Sequence, residues 1–238
     1  MVPLSLENKI AVVTGASEGI GLAIAKAFSQ KRAHVVLASR NAEKLKRAAS
    51  EFDRAPLWVP CDVSKPEAVQ HLRERVLSEL GPPDILVNNA GISSFKPVWE
   101  ISLETWRAVL DTNLTGTFLV TRAFLPEFMS RKSGHIVNIV SVAGISAFTE
   151  CAAYCASKYG QLGLTRVLRQ ELIPYNVRVT AVLPGATDTA IWDGAPPEVD
   201  RSVMMRPEDI ARSVVMACEL GPNATVEEII LRPTSGDV

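Results

Sequence analysis

The strongest constraint on the fold lies near the start of the chain. An apolar run, Ile10-Ala11-Val12-Val13, leads into Thr14-Gly15-Ala16-Ser17-Glu18-Gly19-Ile20-Gly21. A helical pattern follows, with apolar residues at Ile20, Leu22, Ala23, Ala25, Ala27 and Phe28, and then a second apolar run, His34-Val35-Val36-Leu37-Ala38-Ser39. Short apolar runs bounded by turn signals read as buried strands. Strand, glycine-rich turn and helix together form a phosphate-binding arrangement. Glycines let the backbone come close to a pyrophosphate, and the helix N-terminus presents free N–H groups and the positive end of its dipole. The spacing is G-x-x-x-G-x-G, which differs from the common G-x-G-x-x-G turn. The glycines alone fit a plain tight turn equally well, and the second strand is what favours the phosphate reading.

The same rhythm continues along the chain. Strands are expected at Ile10–Thr14, His34–Ser39, Leu57–Cys61, Ile85–Asn88, His135–Val140, Arg178–Val182 and Glu228–Leu231. Helices are expected at Gly19–Gln30, Ala42–Phe52, Lys65–Leu80, Leu103–Met129, Ala152–Leu172 and Pro207–Leu220. Near-continuous apolar strands alternating with helices predict an α/β fold, a doubly wound parallel sheet with helices on both faces. A chain of 238 residues fits one such domain, spanning 1–238, better than two. One stretch, Thr187 to Arg206 with Gly194-Ala195-Pro196-Pro197 inside it, is polar and long for a connection. It is expected to act as a lid over the site.

Composition excludes several classes. A formal net charge of -1 gives no basic excess for nucleic acid or an anionic membrane surface. No apolar run approaches the roughly 20 residues of a membrane span. The first strand begins near Ile10, which leaves no room for a signal peptide, so a cytoplasmic protein is expected. The four cysteines, Cys61, Cys151, Cys155 and Cys218, show no C-x-x-C spacing, and with three histidines no metal site is expected.

The chemistry points to Tyr154-Cys155-Ala156-Ser157-Lys158. Four residues is about one helical turn, so Tyr154 and Lys158 share a face. A cation beside a phenol favours the phenolate and pulls its acidity toward neutral pH, which makes Tyr154 a candidate proton donor and acceptor. The same spacing also arises from a half-buried tyrosine and a solvated lysine. Cys151 and Cys155 flank Tyr154 and read as small apolar packing rather than a redox pair.

With these motifs in place, the chain resembles the short-chain dehydrogenase/reductase family over nearly its whole length. The resemblance rests on Thr14 to Gly21, Asp62-Val63, Asn88-Asn89-Ala90-Gly91, Asn113, Ser141, Tyr154 with Lys158, and Pro184-Gly185, in the family's order. It implies hydride transfer between a nicotinamide cofactor and a carbonyl or secondary alcohol. Tyr154 would exchange the proton, Lys158 would bind the ribose and hold Tyr154 acidic, and Ser141 would orient the carbonyl. Asn113 would secure a water that relays protons from Lys158, unless it is a buried polar group satisfied within the fold. Gly15, Ser17, Gly19, Ile20 and Gly21 would hold the pyrophosphate. Asp62 with Val63 would meet the adenine, or Asp62 would cap the next helix. Asn89, Ala90 and Gly91 would meet the adenine ribose and brace the sheet, and Pro184, Gly185, Thr187 and Thr189 would meet the nicotinamide carboxamide. Ser93, Ser94, Val142, Cys151 and Trp192 would wall the substrate pocket.

The end of the second strand chooses between the two nicotinamide cofactors, since an acidic residue there repels a 2′-phosphate. This chain has Ser39 and Arg40, which favours NADP(H). Glu18 stands nearby and would oppose that choice unless it turns away or pairs with Arg40. The small-molecule carbonyl reductase is weighed against a 3-oxoacyl-acyl-carrier-protein reductase and against a catalytically silent dinucleotide-binding protein. The region Ile173-Pro174-Tyr175-Asn176 offers no basic residue to an acidic carrier, which leaves Arg131 and Lys132 as the possible basic spot. Gly160 and Gly163 on the tyrosine helix, with the family's habit of pairing helices across a two-fold axis, imply a homotetramer, with a dimer as the fallback.

Overall fold

The computed structural model describes residues 5–193, 195, 200–221 and 223–236. Seven strands form one fully parallel sheet: β1 Ile10–Thr14, β2 His34–Ser39, β3 Leu57–Pro60, β4 Ile85–Asn88, β5 Gly134–Ile139, β6 Val177–Pro184 and β7 Glu228–Leu231. Their spatial order is β3-β2-β1-β4-β5-β6-β7. The chain runs outward to β3, then crosses back to place β4 beside β1. That reversal opens a crevice at the carboxyl ends of β1 and β4, where ligands bind in doubly wound sheets.

Strand alternation divides the core into two layers. On β1, Ala11 and Val13 join one buried cluster and Val12 the other. On β2, Val35 and Leu37 face the first cluster, and Val36 and Ala38 face the second. Helices α1 (Gly19–Gln30), α2 (Ala42–Ala49) and α7 (Pro207–Cys218) cover the first face through Ile24, Phe28, Leu45, Ile210 and Val214. Helices α3 (Pro66–Glu79), α5 (Gly116–Arg131) and α6 (Ala152–Leu172) cover the second through Leu72, Phe124, Phe128 and Leu168. A sheet buried on both sides needs apolar residues at every position, which explains the unbroken strand runs.

One expected element is divided. The long helix read over Leu103–Met129 is α4 (Leu103–Leu110), a π-helical turn over Asp111–Thr115, and then α5. At the junction Gly116 packs so closely that a Cβ there would lie 2.7 Å from a Val63 methyl. The wide turn seats Asn113 in the protein interior, where it meets the segment that follows β4. Helix α2 ends at Ala49 rather than Phe52, because Ser50 turns its hydroxyl back onto the Arg47 carbonyl at 2.7 Å.

Candidate active site

The glycine loop leaves β1 at Thr14 and enters α1 at Gly19. Gly15 has a φ of +63°, and a Cβ there would lie 2.8 Å from Ala90 Cα, so only glycine fits. The loop after β4 is locked onto it. Asn89 Nδ2 donates to the carbonyls of Thr14 at 2.9 Å and Gly15 at 3.1 Å. The Thr14 hydroxyl accepts from the backbone N–H groups of Asn89 and Ala90. Asn89-Ala90-Gly91 is thus a strut for the crevice.

Ser17 and Ser39 place their hydroxyls 3.0 Å apart where the first two strands deliver them. Arg40 next to them is exposed, and no salt bridge ties it among the described residues. Glu18 lines the same cavity but pairs with Lys44 and not with Arg40: its carboxylate accepts from Lys44 Nζ at 2.9 and 3.0 Å. This corner of the cavity thus offers one arginine and two hydroxyls, with the nearby carboxylate neutralised by Lys44. Asp62 does not cap α3, whose N-cap is Lys65. Its Oδ1 accepts from the Ser64 N–H and hydroxyl at 3.0 and 2.8 Å. Desolvation alone would raise the Asp62 carboxyl, but those two bonds and the nearby Arg40 and Lys65 charges outweigh it and hold the group below its ordinary range.

Tyr154, Lys158 and Ser141 converge on the far side of the crevice, and a cavity of about 900 Å³ joins them to the glycine loop and Arg40. Ser141 follows β5. Its hydroxyl accepts from the Ala143 N–H at 3.1 Å and donates to the Pro184 carbonyl at 3.3 Å. Lys158 is 3% exposed, and its Nζ donates to the Ile139 carbonyl at 2.9 Å and to Gln161 Oε1 at 2.8 Å. It lies 5.7 Å from the centre of the Tyr154 ring.

The expected neutral-range phenol is not what this arrangement produces. Desolvation pushes Tyr154 up to about 12, although the adjoining Ser141 hydroxyl acts in the opposite direction. Desolvation also brings Lys158 down to about 7. Both groups leave water together, and the amine spends its hydrogen bonds on two carbonyls rather than on the phenolic oxygen. The Cys151 thiol is disfavoured as a thiolate for the same reason: burial pushes it up to about 11.

Over residues 9–199 the chain matches the family model described as short chain dehydrogenase. The chain belongs to the short-chain dehydrogenase family. Sepiapterin reductase of Chlorobaculum tepidum is 39% identical over 239 residues, covering 96% of this chain and 98% of that protein. A metagenomic short-chain oxidoreductase solved in complex with NADP is 36% identical, with a TM-score of 0.86 over 97% of this chain and 99% of the other. An alcohol dehydrogenase from the archaeon Thermococcus sibiricus, complexed with 5-hydroxy-NADP, is 30% identical with a TM-score of 0.89, covering 97% and 98%.

In this short-chain dehydrogenase Asn113 is wholly buried. The Asn113 side chain bonds the Ile92 N–H and carbonyl, each at 2.9 Å, and the Ser157 hydroxyl at 2.9 Å, so it is satisfied within the fold. Three residues emerge that the motif reading passed over. Ser157 links Asn113 to the Tyr154 carbonyl. Phe95 stacks on Trp192 with ring centres 5.6 Å apart and completes a cavity wall. Gln161 is wholly buried and bonds Lys158. The signal for Gln161 was present: Tyr154, Lys158, Gln161 and Thr165 are polar residues at i, i+4, i+7 and i+11, where an inward helix face would ordinarily be apolar.

Proposed function

We propose that this short-chain dehydrogenase is an NADP(H)-dependent oxidoreductase acting between a small carbonyl compound and its secondary alcohol. The observation that carries the reading is that Ser141, Tyr154 and Lys158 line the same cavity as the glycine loop, Ser39 and Arg40. The cofactor, when bound, supplies or accepts the hydride. Ser39 and Arg40 would hold the 2′-phosphate; Gly15, Ser17, Gly19, Ile20 and Gly21 the pyrophosphate; Asp62, Val63, Asn89, Ala90 and Gly91 the adenosine half. Pro184, Gly185, Thr187 and Thr189 would hold the nicotinamide end. The two relatives solved with NADP and 5-hydroxy-NADP support that choice of cofactor.

In the reductive direction negative charge grows on the carbonyl oxygen. The Tyr154 hydroxyl, and the Ser141 hydroxyl once it turns from the Pro184 carbonyl, stabilise it as donors, and Tyr154 gives up its proton to complete the alcohol. Lys158 keeps two N–H groups on fixed carbonyls and has the third for the cavity, where a ribose hydroxyl would accept it. The proton lost from Tyr154 is restored through that side of the site.

Free small molecules are the favoured substrates. Arg131, the basic residue best placed for an acidic carrier protein, bonds the Pro82 and Pro83 carbonyls and lies 3.6 Å from Asp84. The relative named sepiapterin reductase supports reduction of a free small molecule. The protein is further read as a cytoplasmic homotetramer of single domains spanning 1–238, with a dimer as the alternative. Among the described residues no helix is long and apolar enough to cross a membrane.

The test is a carbonyl panel with NADPH and with NADH. It contains sepiapterin, small diketones, aldehydes, and one β-ketoacyl group presented on a short thioester and on carrier protein. Turnover with NADPH on free carbonyls is expected, with less than about a tenfold gain from the carrier. Tyr154→Phe should lower turnover at least about a hundredfold while NADPH fluorescence titration stays near wild type. Wild-type preference for NADH, a hundredfold carrier preference, or an active Tyr154→Phe enzyme would each overturn the corresponding part.

A further inference from the structure

We propose that Gln161 is a positioning residue of this enzyme: its side-chain amide fixes the Lys158 amine and couples it, through the Thr117 hydroxyl, to the Asn113 carbonyl. The inference rests on the proposed catalytic role of Lys158. Lys158 Nζ donates to Gln161 Oε1 at 2.8 Å, and Gln161 Nε2 donates to Thr117 Oγ1 at 2.9 Å. Thr117 Oγ1 in turn donates to the Asn113 carbonyl at 2.8 Å.

The direction of the chain follows from its far end. A threonine hydroxyl has one proton. Thr117 commits that proton to a carbonyl, so toward Gln161 it can only accept. Gln161 must then present its NH₂ to Thr117, which leaves its oxygen for Lys158. The amide cannot flip without losing both bonds. Three side chains on α6 and α5, with Gln161, Thr117 and Lys158 all at most 4% exposed, thus hold one orientation of the amine. An apolar residue would fill the position with no polar group to satisfy, and burying an amide is tolerated only where every bond is made. The two captured N–H groups of Lys158 face Ile139 and Gln161, so the third is directed by elimination rather than left to rotate.

The surroundings of Lys158 isolate this contact. From its own helix it faces Tyr154, from β5 the Ile139 carbonyl, and from α5 the Thr117 hydroxyl behind Gln161. The other titratable or charged groups lining the cavity are Glu18, Arg40, Cys61, Lys96, Glu150 and Cys151. Burial is the cause that lowers Lys158, and no neighbouring charge adds to it. The Gln161 oxygen is therefore one of two fixed dipoles that favour the protonated amine.

The experiment reads the Lys158 titration directly, by carbon NMR of intact protein labelled with [ε-13C]lysine, the resonance assigned by its loss in Lys158→Arg. Gln161→Leu removes an acceptor for the ammonium, so the midpoint should fall by about half a pH unit or more. Gln161→Glu keeps an acceptor and adds a negative charge, so the midpoint should rise. Thr117→Val frees the amide and should shift it in the same direction as Gln161→Leu, by less. kcat on the best carbonyl of the panel should drop about tenfold in Gln161→Leu and recover in part in Gln161→Glu. If Gln161→Leu does not fold, the sign of the Gln161→Glu and Thr117→Val shifts decides. Unmoved midpoints, or shifts of the same sign for Leu and Glu, overturn the proposal. The titration reads the coupling whether or not a carbonyl turns over, whereas undiminished turnover in Lys158→Met would sink the catalytic assignment itself.

Discussion

Glu18 sits in the loop that the pyrophosphate would line, yet its charge is spent on Lys44. Both partners are about half exposed, so the ion pair adds little stability. Its effect is on charge: it gives the carboxylate a partner other than Arg40. A second residue shows what burial without a partner charge does. His135 on β5 is 1% exposed, and its Nε2 lies 2.8 Å from the Thr180 hydroxyl. Desolvation, with Arg178 adding repulsion, brings it down to about 3. The fold holds the ring neutral while the unfolded chain takes up a proton below about pH 6.5, so stability contributed by His135 is lost as pH falls from there. His135→Gln cannot take up that proton. Denaturant titrations should find the variant less stable at pH 7, with its deficit narrowing by about 2 kcal/mol by pH 5. A constant deficit across that range would contradict the assignment.

Among the elements, the segment from Thr187 to Arg206, expected to act as a lid, is tied down over the parts described; Gly194 and residues 196–199 lie outside the described residues. Arg201 clamps it by bonding Asp188 at 2.7 Å, Asp193 at 3.0 Å and the Thr189 carbonyl at 3.1 Å. A short parallel bridge joins Thr187 to Met205, and Ser93 donates to the Ile191 carbonyl at 3.0 Å. Trp192 is thereby held against Phe95 as a rigid wall. Trp192→Ala should raise KM for the carbonyl about two- to tenfold, the worth of an aromatic contact, and leave the NADPH dissociation constant unchanged. Equal losses for both ligands would assign Trp192 to the fold instead. The sheet, the helices other than the divided one, and the shared face of Tyr154 and Lys158 were legible in the sequence because period and spacing report them. The break at Asn113 was not, because the apolar pattern runs straight through it and the groups it meets, Ile92 and Val63, are distant along the chain. Gln161 was passed over although it shares a helix face with Lys158, because its second partner, Thr117, lies on another helix where no spacing rule reaches.

For the whole molecule, the unpartnered surface lies on α4, α5 and α6. Leu103, Phe118, Tyr159 and Val167 are 54%, 44%, 48% and 52% exposed. Gly163 is open, whereas Gly160 turns inward, where a Cβ would lie 2.8 Å from a Leu114 methyl. Gly160 therefore serves internal packing, and Gly163 is the one free for a neighbour. Light scattering at micromolar concentration should give the mass of four chains, and Val167→Glu should reduce it, since burying a carboxylate against apolar surface is costly. A monomeric wild type would refute the assembly.

Gly185 donates its N–H to the Leu231 carbonyl at 2.7 Å, and β7 is pinned to α6 by Arg166 on Glu228 and Arg169 on the Glu227 carbonyl. The wall of the cavity at Pro184–Gly185 is thus set by a strand that leaves the ribosome well after it. A growing chain possesses its glycine loop, Ser141 and Tyr154 while that wall still lacks its support. That end of the cavity, where the proposed function seats the nicotinamide, takes its final shape only once the last strand is in place.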